Sequence, residues 1–457
     1  MTTTAPAATS GLLFRCGDFL RRRQAWLCAM QWAVVAIYLV LVVAPALLPL
    51  PPEDSHLWNN LTRFAQFVFW GLWWPGVMVA TVAFGRVWCG ILCPEGTLSE
   101  WASRHGRGAT IPRWMRWGGW PFVAFLGTTV YGQLVSVYEY PQAALLVLGG
   151  STAAAVAVGL LYGKGKRVWC RYLCPANGIF ALLAKIAPMH YRVDREIWDR
   201  APRRTPAVNC APLIDMRRMT SASDCHACGR CNSHRDAVAL SWRAPWAEIL
   251  DPALPPGKVE VATLLFGVLG VATAAFQWSS SPWYVSAKLA LADWLVERGF
   301  ERILQDDAPW WLLTHVPAAN DVFTWLDGAL ILAYLLGGGF VLGGLLGLAV
   351  FAAARIAGRT GPGSHRLALA LVPIAAANVI VGLTMLTASH LKAEQVPVDW
   401  LALPRMALLA GGSFFALGLA WRLLSGVPVL RRLPAVLVFA LAPVLVTAAW
   451  GGVFFVW

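Results

Sequence analysis

Nine apolar stretches decide the solvent in which this chain folds. They fall at residues 25–50, 63–85, 117–138, 142–162, 260–280, 326–354, 367–390, 402–422 and 433–456. About 20 helical residues at 1.5 Å rise cross a hydrocarbon core of about 30 Å. With 58% of the residues hydrophobic and 13% charged, a soluble domain could not hide this much apolar surface. The expected fold class is an all-α polytopic membrane protein of about nine transmembrane helices, with contacts to membrane lipid. Arg21-Arg22-Arg23 before the first stretch resembles the charged start of a signal peptide. The apolar run that follows is too long for one, which predicts an uncleaved membrane helix.

The net charge of +13 is explained by placement. With the N-terminus in the cytoplasm, segments 1–24, 86–116, 163–259, 355–366 and 422–432 face inward and hold 31 of the 37 Lys and Arg. The outer side keeps Arg63, Lys288, Arg298, Arg302, Lys392 and Arg405. The positive-inside rule then predicts a bacterial inner-membrane protein in this orientation, and nucleic-acid binding is not needed to explain the charge. Four regions are expected: a cytoplasmic segment 1–24, a four-helix membrane module 25–162, a cytoplasmic segment 163–259 and a five-helix membrane module 260–457.

Eight of the ten cysteines lie in the two inward segments 86–116 and 163–259. A reducing compartment argues for metal or redox chemistry there, not disulfides. Cys28 reads as a small hydrophobe inside the first helix, and Cys16 as an ordinary thiol.

A rare pattern occurs twice. Arg86-Val87-Trp88-Cys89-Gly90-Ile91-Leu92-Cys93-Pro94 follows the second apolar stretch, and Arg167-Val168-Trp169-Cys170-Arg171-Tyr172-Leu173-Cys174-Pro175 follows the fourth. Each copy of R-V-W-C-x-x-L-C-P supplies two thiolates, too few for a four-iron cage. Brought together, Cys89, Cys93, Cys170 and Cys174 would hold one cluster at the inner membrane surface, and a reactive dithiol is the rival reading. Pro94 and Pro175 would turn the chain away after the second thiol. Arg86, Arg167 and Arg171 would offset thiolate charge, or serve as positive-inside anchors.

The apolar stretch 175–190 predicts a short helix at the membrane surface. The polar stretch after it, about 191–258, is too small for a core and suits a metal-organised loop. It carries Cys225-His226-Ala227-Cys228-Gly229-Arg230-Cys231, a C-x2-C-x2-C run of the kind that ligates a [4Fe–4S] cluster. The fourth position expected in a ferredoxin run is Arg235. Cys210, followed by Ala211-Pro212, is the favoured fourth ligand, with His234 as competitor, and zinc or a three-iron cluster are the alternatives to a four-iron one.

The remaining signals are weaker. His390, near the outer end of the seventh stretch, reads as an interfacial residue, a quinol-site group or a haem ligand without an evident second ligand. Residues 283–305 predict an interfacial helix, with Trp278, Trp283, Trp310 and Trp311 in an aromatic belt. Gly337-Gly338-Gly339 and Gly343-Gly344 read as a helix-packing surface.

The paired C-x3-C-P motifs, the run Lys166 to Pro175, Arg192-Val193-Asp194, the segment Cys210-Ala211-Pro212-Leu213-Ile214-Asp215-Met216-Arg217 and the cysteine triplet together resemble the membrane-bound 4Fe–4S polyferredoxin family that includes NapH, NosR and CcoG. The resemblance covers residues 60–245, with one cysteine run where the family has two and no counterpart for the last five helices. It implies two [4Fe–4S] clusters and electron transfer between the quinone pool and a partner redox protein or respiratory complex. The alternative it implies is an assembly factor that reduces or delivers a metal such as copper. A transporter with sensing clusters is disfavoured by the scarcity of intramembrane charge.

Overall fold

The computed structural model describes residues 11–52, 54–202 and 205–456. Among them, eight helices are long and apolar enough to cross a membrane: Gln24–Ala46, Leu61–Phe84, Pro141–Tyr162, Lys258–Ser280, Trp325–Ile356, Val372–Ala393, Asp399–Leu423 and Val429–Phe455. The stretch expected at 117–138 is helical only over Trp120–Leu134, 15 residues. That is about 22 Å of helix, short of a full span. Turns at Gly118-Gly119 precede it. Past its end Ser136 takes a positive φ of 49°, and the Val137 amide turns back to the Gly132 carbonyl at 2.9 Å.

The chain divides into two compact units. One comprises Met1–Val40, Val77–Pro121 and Ser151–Leu254; the other comprises Leu41–Gly76, Phe122–Gly150 and Pro255–Trp457. All ten cysteines belong to the first.

In the first unit, short elements hang on the ends of spanning helices. Pro94–Arg104 starts at the end of the first motif copy, and Val168–Tyr172 lies within the second. The stretch expected as a surface helix is helical over Asn177–Ile186, and its apolar residues Ile179, Phe180, Leu182 and Leu183 are buried within the unit. The polar stretch lacking periodicity supplies a strand, Val238–Trp242, which pairs antiparallel with Met189–Val193 so that Tyr191 faces Leu240. Tyr191, Met219, Ala227, Val238 and Leu240 form a small core against which Cys225 and Cys231 pack. A second core joins Met115, Ala155, Val158, Val168, Trp169 and Cys170.

The second unit is a helical bundle built on close backbone approach. Gly339 and Gly343 lie against the backbone of Leu265–Val271 with no room for a Cβ, while Gly337, Gly338 and Gly344 have open space. Small residues give such contacts in lipid, where helices gain no hydrophobic drive toward each other. Asn378, fully buried, accepts from Trp450 Nε1 at 2.7 Å and Thr273 Oγ1 at 3.0 Å and donates to the Val268 carbonyl at 2.9 Å. The segment 283–305 is helical over Pro282–Glu297, with Trp283 exposed and Leu295 buried. Trp310 and Trp311 are exposed, but Trp278 turns inward to bond Gln133 Oε1 at 2.7 Å. His390 meets Phe67 edge-on, ring centres 6.1 Å apart.

Candidate metal centre

Each copy of the repeated motif presents its two thiols by a different local route. In the first, Cys89 sits in a widened helical turn, Trp88–Leu92, a geometry that recurs at functional sites. Cys93 then caps the helix Pro94–Arg104, accepting from the Gly96 amide at 3.4 Å, with Pro94 filling the first helical position where no N–H is needed. In the second, Cys170 lies inside Val168–Tyr172 and Cys174 just beyond it.

These four thiols form one neighbourhood. Burial pushes the Cys174 thiol well above its ordinary value, and Glu95, Cys170, Cys93 and Cys89 add to the shift. Burial, then Cys170, Cys89 and Glu95, does the same to Cys93. Burial pushes Cys170 up to about 12 against the pull of Arg167, with Cys89 and Glu95 pushing the same way. Each thiol thus feels the charge of the others.

The remaining four form a second neighbourhood. Burial raises Cys231 well above its usual range, reinforced by Cys225, Cys228 and Cys210. Burial lifts Cys225 to about 12, with Cys228 and Cys210 adding to it. Cys210 is raised by burial and by Cys228. Ala227 and Gly229, both at positive φ, wind the triplet so that the Ala227 amide reaches Cys225 Sγ at 3.3 Å. His234 packs its ring edge-on against Trp198, 5.1 Å between centres.

The first turn of the repeat rests on the triplet itself. Gly90 lies against the His226 carbonyl and the Cys228 backbone with no space for a side chain. The helix Leu12–Arg22 covers the other side. Its Gly17 abuts Asn232 and its Leu20 abuts Gly229, and Gln24 just past it donates to the Cys228 carbonyl at 3.4 Å.

The motif arginines are buried among these groups. Arg86 donates to the Ser223 carbonyl at 2.6 Å and to Asn177 Oδ1 at 2.6 Å, and its Nη2 is 4.0 Å from Cys89 Sγ. Arg167 donates to the Cys89 carbonyl at 2.6 Å and to Glu100 Oε2 at 2.8 Å. Glu100 also pairs with Arg230 at 2.7 Å. Burial would raise the Glu100 carboxyl, but Arg167 and Arg230 hold it below its usual range. Arg171 pairs with Asp224 at 2.7 Å.

A second buried acid anchors the approach to the triplet. Glu248 accepts from Ser221 Oγ at 2.5 Å, the Ala222 amide at 3.0 Å and Ser223 Oγ at 2.8 Å, and pairs with Lys185 at 3.2 Å and Arg243 at 2.6 Å. Neither glutamate, nor Asn177 nor Gly90, stands out in the sequence as a site residue.

The donor chemistry suits a multi-iron centre. A bound metal cation is what keeps converging thiols deprotonated in such burial. The Gly96 amide on Cys93 Sγ, the Ala227 amide on Cys225 Sγ and the Arg86 guanidinium 4.0 Å from Cys89 Sγ are donors of the kind that thiolates around a [4Fe–4S] cage accept.

Comparison with known proteins points the same way. Residues 66–112 and 146–193 match the family model described as a 4Fe-4S binding domain, and each matched piece contains one C-x3-C-P motif. The chain is similar to "Putative electron transport protein YccM" of Escherichia coli (strain K12), 23% identical over 233 residues. That match covers 44% of this chain and 65% of the relative, so the chain spans less than two thirds of it. No solved structure matches.

Proposed function

We propose that this multi-pass 4Fe–4S membrane protein conducts single electrons between a quinol in the bilayer and a partner redox protein at the cytoplasmic face of a bacterial inner membrane. Cys89, Cys93, Cys170 and Cys174 would hold one [4Fe–4S] cluster, and Cys210, Cys225, Cys228 and Cys231 the other. When bound, each cluster supplies reversible one-electron chemistry at a potential that the surrounding charges and hydrogen bonds tune.

The observation that carries this reading is the abutment of the two thiol quartets. Gly90, next to Cys89, touches the backbone of His226 and Cys228. The chain's own residues do the rest of the work. The N-terminal helix and the two small cores exclude water from the sulfurs. Amides of Gly96 and Ala227 stabilise added negative charge. The orientation rests on the excess of Lys and Arg in the segments that carry the cysteines. The similarity to an electron transport protein supports the electron-carrying role.

The test is anaerobic purification with iron, sulfide and zinc analysis plus EPR. About eight irons in two four-iron signals are expected. Cys228→Ser and Cys174→Ser should each abolish a different signal, and a short-chain hydroquinone added to membranes should reduce both. Zinc in place of iron, or one signal lost in both variants, overturns the assignment. Signals that hydroquinone leaves oxidised overturn the quinol donor.

A further inference from the structure

Arg86 and Arg167 occupy the same position in the two repeats, three residues before Cys89 and Cys170. Both are buried, with 4% and 2% of their surface exposed. Each reaches across to the other copy. Arg86 bonds Asn177, which follows the second motif, and Arg167 bonds the Cys89 carbonyl of the first. Each repeat also holds the loop that bears the second quartet. Arg86 grips the Ser223 carbonyl two residues before Cys225. The Arg167 amide bonds the Ala211 carbonyl at 2.8 Å, and Lys166 bonds the Cys210 carbonyl at 3.0 Å. The Arg86 guanidinium therefore lies between Cys89 Sγ and the loop before Cys225, while Arg167 holds the Cys89 carbonyl with its guanidinium and the Cys210 loop with its amide, and Gly90 meets the triplet backbone beside them.

Resting on the two-cluster reading above, we propose that Arg86 and Arg167 are positioning residues common to both metal centres, so that the same two buried charges set the electron affinity of each. Reduction of either centre adds one electron and one negative charge, with no atom transferred. A nearby guanidinium in a buried, low-dielectric setting stabilises that charge and gives up no proton. A charge that neighbours one quartet alone would tune one potential. Charges placed between two quartets tune both and keep their potentials in step.

Glu100 makes the idea separable from mere structural support. From the helix Pro94–Arg104 it neutralises part of Arg167 and pairs with Arg230. Glu100→Gln leaves both arginines in place and increases the net positive charge. It should raise both potentials, whereas Arg86→Gln and Arg167→Gln should lower both.

The experiment is an EPR-monitored redox titration of the full chain, purified anaerobically, with iron counted in every variant. At fixed poise, Arg167→Gln and Arg86→Gln are each expected to cut the reduced-to-oxidised ratio of both signals about tenfold, which is about 59 mV for one electron. Arg167→Lys should restore most of the shift. A glutamine variant with full iron in which only one signal moves overturns the proposal and leaves the two-cluster reading standing. If the arginine variants lose iron, Glu100→Gln decides: unchanged potentials, or a shift in one signal alone, overturn it. Wild-type protein with a single cluster overturns the functional reading and this inference together.

Discussion

Gly90 and His226 touch backbone to backbone, the first residue beside Cys89 and the second beside Cys225. A side chain at position 90 has nowhere to go, because the atoms facing it are a carbonyl and the Cys228 main chain, not a flexible side-chain tip. Gly90→Ala should therefore push the triplet off the repeat. Overpacking of this kind costs about 1–3 kcal/mol. Lower iron content and a lower melting temperature of the detergent-solubilised protein are the expected outcomes. An alanine variant with full iron and unchanged melting would show that the contact is not needed.

Glu248 gathers five partners just ahead of the triplet, and its carboxyl ionises at about 2 in the folded protein. Burial alone would raise that value, but Lys185 and Arg243 outweigh it. Removing one member of such a buried pair costs about 3–5 kcal/mol. A carboxyl with a depressed folded pKa stabilises the fold fully above its unfolded value of about 4.3 and loses that contribution as pH falls through the folded value. The melting difference between wild type and Glu248→Gln should thus be large at pH 7 and shrink between about pH 4 and pH 2. A difference that stays constant over this window would rule out the ionised carboxylate as its source.

The charge of Cys210 acts on Cys231, whereas His234 packs edge-on against Trp198. Cys210→Ser should lower iron from about eight to about four per chain, and His234→Ala should leave it near eight. Iron and sulfide analysis of the two variants tells them apart, and the reverse pattern would make His234 the fourth ligand.

Asn378 ties three helices of the C-terminal bundle through Trp450, Thr273 and the Val268 carbonyl. Asn378→Leu removes the acceptor and leaves the indole and hydroxyl without it. Interhelical hydrogen bonds in lipid are worth about 0.6–2 kcal/mol each. The variant should unfold at lower SDS concentration or temperature than wild type, and equal stability would show that packing of Gly339 and Gly343 carries the bundle alone.

Length and periodicity made the membrane class readable, because bilayer thickness and helical rise fix how many apolar residues a span needs. The count was less readable. Residues 117–138 are apolar enough, yet the glycine pair at one end and the reversal after Leu134 at the other shorten the helix. The thiol-rich motifs were readable as well, since C-x3-C and C-x2-C-x2-C place sulfurs near each other through a few residues of local chain.

What surrounds those thiols was decided only by tertiary structure. Arg167 meets Glu100 across 67 residues and Cys89 across 78, and Arg86 meets Ser223 across 137. No local pattern records contacts at such separations. The identity of the residues determined that this chain sits in lipid and carries eight thiols in redox-ready spacings. Folding alone determined that Gly90 meets the backbone of His226 and Cys228 and that Arg86 and Arg167 find their partners in distant segments, because buried charge must find its partners wherever the packed chain brings them.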